Sequence, residues 1–417
     1  MRLSTVLRSG PSVWAATVLV PLLVWSGAGN TTSTIAYAPS VSAQSTIVLG
    51  YVSAVCGACA AWEASRLKEG GVWSLAPARG GLAMAGLHLG PVAVLGVVGL
   101  GASLAVYASA AFADPSPMGA VILATAFAVV LAHIALGWLL GRRMPRVLGA
   151  AVMLTFGYLW GFWPGAVGDM PWLRHLNGQG VTECCGLDRE PSLRSMAATW
   201  ALSAAVVLTV VLASRIRRRG VRWWACGGAM AAGVAAGMAF AVPLGFEGTQ
   251  ARDTALLTCT GQAPEVCLWP EQYAQRERIS GWAADASRRN AAAGVEPAGR
   301  VEFGETAPDE TTVRTIVSTA SMPVDPPACA LRPNASYPGD AAYGPLDAWL
   351  ALTGGADPSI LSERWPAQDV RLAEQVRQLP PSAQRAWYER NLRSLRDCSI
   401  APDLAPASYA AGAGDGP

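Results

Sequence analysis

Seven apolar runs fill most of the first 245 residues, at roughly 12–29, 45–62, 86–111, 118–140, 147–167, 195–214 and 223–243. A helix rising ~1.5 Å per residue needs about 20 residues to cross a hydrocarbon core of ~30 Å, and these runs are of that length. Only 14% of the chain is charged, against about 25% in an ordinary soluble domain, so the bilayer is the expected solvent for much of it. The net charge of +2 hides an asymmetry. Residues 1–245 carry 16 basic and 7 acidic side chains, and residues 246–417 carry 15 and 22. The spacing and charge predict an α-helical polytopic membrane bundle over 1–245 and a polar domain over 246–400, followed by a disordered tail over 401–417.

Arginine and lysine are retained on the cytoplasmic side of a membrane, which fixes the expected orientation. Arg2 and Arg8 precede the first run; Arg66, Lys68 and Arg79 follow the second; Arg142, Arg143 and Arg146 follow the fourth; Arg215, Arg217, Arg218, Arg219 and Arg222 follow the sixth. The alternate loops hold only Arg174, Arg189 and Arg194. The N-terminus is therefore expected inside and the domain after residue 245 outside, in a multi-pass protein of the cytoplasmic membrane. A basic start before an apolar run also describes a secretory signal. The run is long, however, and the nearest small-x-small sites (Ala36-Tyr37-Ala38 and Val41-Ser42-Ala43) lie well past it, so a retained helix is the reading. Cleavage would leave six spans with the same final orientation. Gly86/Gly90 and Gly233/Gly237 have the small-xxx-small spacing that lets helix backbones approach, a role open at each.

Intramembrane charge usually marks an ion or proton path, and the runs hold almost none. His88 and His133 could relay protons, although a lone histidine more often bonds a neighbouring helix. Cys56 and Cys59, one turn apart with no other soft ligand near in sequence, read as packing residues. A phosphate-binding P-loop needs Gly-Lys-Ser/Thr. The single lysine, Lys68, sits between Leu67 and Glu69, so any ATP hydrolysis would belong to a partner.

Residues 61–80 form the one informative cytoplasmic loop. Glu63, Arg66 and Lys68 are expected to continue the second span as a polar helical extension, Gly70-Gly71 to break it, and Val72, Trp73 and Leu75 to form a short apolar patch at the membrane surface or in a partner's groove. A helix leaving through Ala61-Trp62-x-Ala64-x-Arg66, then a glycine-bounded turn ending in Ala76-Pro77-x-Arg79, resembles the first cytoplasmic loop of ABC-2-type exporter permeases. The resemblance implies a coupling loop that docks on a separate ATP-binding ABC subunit, carried by Glu63, Arg66, Lys68, Glu69, Trp73 and Arg79 with Trp73 as apolar anchor. The plainer reading is a positive-inside loop whose tryptophan rests among lipid headgroups.

Six cysteines fall in segments expected outside: Cys184, Cys185, Cys259, Cys267, Cys329 and Cys398. An even number in an oxidising compartment suggests disulfides. Gly261 and Pro264 favour a tight loop between Cys259 and Cys267, so these two are paired, leaving Cys329 for Cys398. Cys184 and Cys185 remain open between a mutual bond, a bridge to the domain and free thiols. Pro270 suits the first turn of a helix running to about Ala293; residues 299–305 and 311–320 alternate and are β-branched, as strands are; helices are expected at 345–353, 366–378 and 381–398. The domain is thus α+β, small and disulfide-stapled.

Cys259-x7-Cys267-Leu-Trp-Pro-Glu271, with a last helix closing in Leu395-Arg-Asp-Cys398, is similar to uncharacterised actinobacterial ABC-permease-like proteins that carry an extracytoplasmic C-terminal domain; arginine-dominated basic composition fits such a GC-rich source. The usual exporter permease has six spans with both ends inside, and this chain departs from it by a seventh span. All three histidines, His88, His133 and His175, precede residue 246, which removes His-based catalysis and His-metal sites from the outer domain. Glu265 and Glu271 remain as a formal carboxylate pair, though acidic surface is the commoner meaning of such residues, and Trp269 reads as core. Neither an enzyme nor a cofactor is expected. The leading expectation is the permease-like subunit of an ABC-type exporter, partnered by an ATP-binding subunit, the lipid bilayer and a second copy or second permease subunit, with no nucleic acid. The competing one is a non-transport sensor, immunity or envelope-assembly protein acting through its outer domain.

Overall fold

A computed structural model describes residues 10–72, 81–182, 184–332 and 336–410. The chain divides into two compact units, Met1–Arg252 and Asp253–Pro417.

Among the described residues of the first unit, seven helices are long and apolar enough to cross a membrane, as in a multi-pass membrane protein. In chain order they are α1 (Pro11–Ala28), the pair α2 (Ala38–Ser45) and α3 (Leu49–Glu69), α4 (Gly81–Ala110), α5 (Pro117–Gly141) and α6 (Arg146–Ala166). After a short strand β1 (Arg189–Pro191) come α7 (Leu193–Arg215) and α8 (Arg219–Ala241), then β2 (Thr249–Ala251). A 3-10 turn at Thr46–Val48 makes α2 and α3 one span. That span is central: 72% of its apolar window is buried, against 17% for α8, which packs mainly on α7. Small residues explain the difference. A side chain added at Gly137 or Gly141 of α5 would strike the α3 backbone at Gly57 or Ala61, and one at Gly157 of α6 would lie 2.6 Å from the Ala54 Cα. Two helices therefore close onto α3 at backbone contact. Gly233 and Gly237 likewise seat α8 against Ala205 and Leu176, whereas Gly86 and Gly90 face open space.

The second unit has two cores. Strands β3 (Thr258–Thr260), β4 (Glu265–Leu268) and β5 (Arg300–Glu302) make a small sheet in which β4 is antiparallel to β3 and parallel to β5. Between β4 and β5, a 3-10 turn at Pro270–Gln275 leads into α9 (Arg276–Ala292). Val266, Leu268, Val301 and Phe303 from the sheet pack with Ile279 and Ala283 of α9 and with Val313 and Val317 of α10 (Glu310–Thr319). The stretch 311–320 is thus helix, not the expected strand. Asp309 caps it by accepting from the Thr312 amide at 2.7 Å, and Val313 and Val317 fall four apart on the buried face.

The other core joins α11 (Tyr343–Thr353), α12 (Pro358–Arg364), α13 (Ala367–Arg377) and α14 (Pro381–Arg396). Trp349 lies between Trp387 and Tyr388, with ring centroids 6.1 and 5.3 Å away. The tail also differs from expectation over residues 401–410. Asn391 accepts from the Asp403 amide and donates to its carbonyl, Trp387 donates to the Leu404 carbonyl, and Leu404 and Tyr409 join the core. Residues 411–417 lie outside the described residues.

Cys259 and Cys267 face each other across β3 and β4 with sulfurs 2.03 Å apart, and Cys329 is joined to Cys398 at 2.09 Å. Cys184 and Cys185 are bonded to each other.

Candidate functional site

The polar chemistry of the first unit gathers at the arginine-rich end of the bundle, where α3 ends and α4 begins. Hydropathy alone ends the second span near Trp62, but the helix continues to Glu69 and three neighbours grip its last turns. The Ser65 hydroxyl donates to the Gly141 carbonyl at 2.8 Å. Lys68 Nζ donates to the Arg143 carbonyl at 3.2 Å. Glu69 pairs with Arg146, whose guanidinium also lies 5.7 Å from the centre of the Trp62 ring. Leu67 and Ala64 enter an apolar cluster with Ala85 and Trp138. Ion pair, hydrogen bonds and burial together fix the end of α3 to the turn between α5 and α6.

Of the residues expected in a coupling loop, Arg66, Lys68 and Glu69 stand on this last stretch of helix. Trp73 and Arg79 lie outside the described residues. Glu63 continues the helix as expected of a polar extension, yet it is buried, at 3% exposed. Its Oε2 accepts from Arg66 Nη2 at 2.7 Å and lies 3.9 Å from Nδ1 of His88, itself 4% exposed. Burial follows because residue 63 falls on the face of α3 that packs against α4, one turn beyond Cys59 and two beyond Cys56. Cys56 and Cys59 are themselves buried packing residues, with the Cys56 sulfur 3.7 Å from the Val92 carbonyl. Sequence distance hid the Glu63–His88 pairing. The usable signal was that His88 and Glu63 both lie in the turns flanking the same loop.

A second polar knot ties the opposite end of the bundle. The His175 ring is wholly buried. Its Nε2 donates to the Gly245 carbonyl at 3.1 Å, which leaves Nδ1 to accept from the Ser195 hydroxyl at 2.8 Å. Burial disfavours the charged ring and holds its pKa below the usual histidine range. Thr199 adds a bond to the His175 carbonyl at 2.6 Å. A serine beside a histidine suggests a nucleophile, but Gly180 closes over both side chains so tightly that a Cβ there would overlap them. The knot joins the 171–182 segment to α7 and to the chain leaving α8.

In the second unit, Glu265 and Glu271 are both exposed, and Trp269 is 1% exposed core. Cys259, Glu265 and Cys267 cluster, yet the two sulfurs are bonded to each other and are not thiolate ligands. Arg314 reaches Asp285 at 2.7 Å, Glu310 at 2.7 Å and the Gly354 carbonyl at 2.9 Å.

Residues 266–398 match the family model of a domain of unknown function, DUF7224. No curated protein and no solved structure matches the chain.

Proposed function

We propose that the chain is the permease-like membrane subunit of an ABC-type exporter complex, energised by a separate ATP-binding subunit that docks on the loop between α3 and α4. The orientation that goes with it has the N-terminus and this loop in the cytoplasm and residues 253–410 outside. The observation that carries the reading is the attachment of α3 at its charged end. Helix α3 is the most buried span, and its last turn is held to the α5–α6 turn by Ser65, Lys68 and the Glu69–Arg146 pair. A push delivered to the end of α3 would thus reach three spans at once. A single lysine outside any P-loop assigns the hydrolysis to the partner.

The test is co-purification of the tagged chain from mild detergent, with mass spectrometry for an ATP-binding protein. Lys68→Glu and Trp73→Ala are the informative variants. Arg66 is left intact because it neutralises the buried Glu63. An ATPase recovered with wild type and lost with both variants supports the reading. A folded chain that brings down no ATPase favours the competing one, a sensor, immunity or envelope-assembly protein acting through the 253–410 unit.

A further inference from the structure

We propose that Glu63 and His88 form a proton-binding site inside the bundle, one that takes a single proton from the arginine-rich end and holds it between carboxylate and imidazole. The inference stands on the geometry of the pair and does not depend on export. Both side chains are more than nine-tenths buried. Of the two Glu63 oxygens Arg66 engages Oε2, and among the described residues neither Glu63 Oε1 nor His88 Nδ1 has a hydrogen-bond partner. Burying such atoms unpaired is costly, and ionisable side chains inside a membrane bundle mark functional sites by default.

The gap between Nδ1 and Oε2 is 3.9 Å, too long for a hydrogen bond and short enough to close by a small shift of either side chain. A proton arriving from water on His88 Nδ1 makes an imidazolium whose N–H is donated to the Glu63 carboxylate. Arg66 stays in place, no other bond changes, and the site gains one positive charge. The other histidines are already engaged at Nδ1: that of His133 lies 2.9 Å from the Val129 carbonyl of its own helix, and that of His175 accepts from Ser195. Among the described residues, the charged and titratable groups facing Glu63 are Arg66 and Cys59 on α3, His88 on α4, and Arg146 on α6, itself paired with Glu69. From α5 the neighbouring cluster receives Trp138, which carries no charge. One carboxylate thus sits between one fixed cation and one group able to become a second.

Helices α3 and α4 flank residues 70–80, so a proton on this site draws together the two helices on which that loop is mounted.

The experiment is nitrogen-detected NMR of the full chain in lipid nanodiscs with histidine as the labelled residue, titrated from about pH 5 to 8. His88→Gln assigns the signal. We expect one His88 titration step, moved to lower pH by ~1 unit or more in Glu63→Gln, since a carboxylate at this range stabilises the imidazolium, and retained in Glu63→Asp. Unmoved His133 and His175 signals certify the fold. A wild-type His88 signal that stays flat across the range overturns the proposal even if no variant folds. So does a step whose midpoint Glu63→Gln leaves unchanged.

Discussion

Arg314 shows how much single side chains decide in the second unit. Its side chain is 10% exposed and holds Asp285, Glu310 and the Gly354 carbonyl, tying α9, α10 and the end of α11 together. Arg314→Met should cost about 2 kcal/mol, the value of a few charge-assisted hydrogen bonds discounted for the part-exposed acids. Urea-dependent proteolysis of the full chain would measure it. The Arg314 and Arg289 hydrogen bonds hold the Asp285 carboxyl down at about 2. A depressed carboxylate contributes stability that is fully present above its unfolded value of 3.8. That part is lost as pH falls from about 4 toward about 2. Asp347 runs the other way, since burial pushes its carboxyl up to about 7. The protonated form is favoured in the fold, so its contribution is greatest below about 4 and disappears as pH rises through about 7. Asp347→Asn should therefore raise the unfolding midpoint at pH 8 and leave it nearly unchanged at pH 4. A midpoint that moves equally at both values would contradict this assignment. Neither residue was singled out by sequence, because acidic side chains look alike until their neighbours are known. Glu63 was singled out, but for a coupling loop; its burial beside His88 was hidden because a hydropathy window stops at the first charge, whereas His88 comes from a separate helix.

Elements were legible where a local pattern had one interpretation. Uncharged runs near membrane length mark helices whatever they pack on, and Pro270 and Gly294 bracket α9 by backbone conformation, with Gly294 at φ +80°. The pattern failed at α10. Val-Arg-Thr-Ile-Val-Ser-Thr alternates like a strand, but Asp309 supplies a cap, Val313 and Val317 lie four apart, and the sheet offers them a surface. Tertiary contact outweighed β-propensity there. The central span makes its own prediction. Gly141→Leu or Gly157→Leu places a side chain where α3 backbone already sits. Each should destabilise the bundle by at least about 1–3 kcal/mol, as overpacking of a close-packed core does. Gly86→Leu, aimed at open space, is the control expected to leave the detergent-solubilised protein monodisperse. Loss of monodispersity in all three would argue against the assigned α3 seams.

For the whole molecule, a long covalent tie matters more to the second unit than any single contact. The Cys329–Cys398 bond closes a loop with a sequence separation of 69. Replacing both cysteines by serine should cost about 4 kcal/mol in the chain-entropy model, measured as a shift in the urea midpoint of that unit. The surplus of basic residues before position 246 and of acidic ones after it was legible from composition. Which residues gather at each end of the bundle was not, because the Glu63–His88 and His175–Ser195 contacts join separate helices and loops. The proposed function requires an ATP-binding subunit to dock from the cytoplasm on the segment between α3 and α4. Its most direct test is photo-crosslinking in intact cells with a photo-reactive residue in place of Trp73. An adduct with a cytoplasmic ATP-binding protein is predicted, weakened by Lys68→Glu. An adduct with an extracytoplasmic protein, or only with lipid while the chain remains folded, would contradict it.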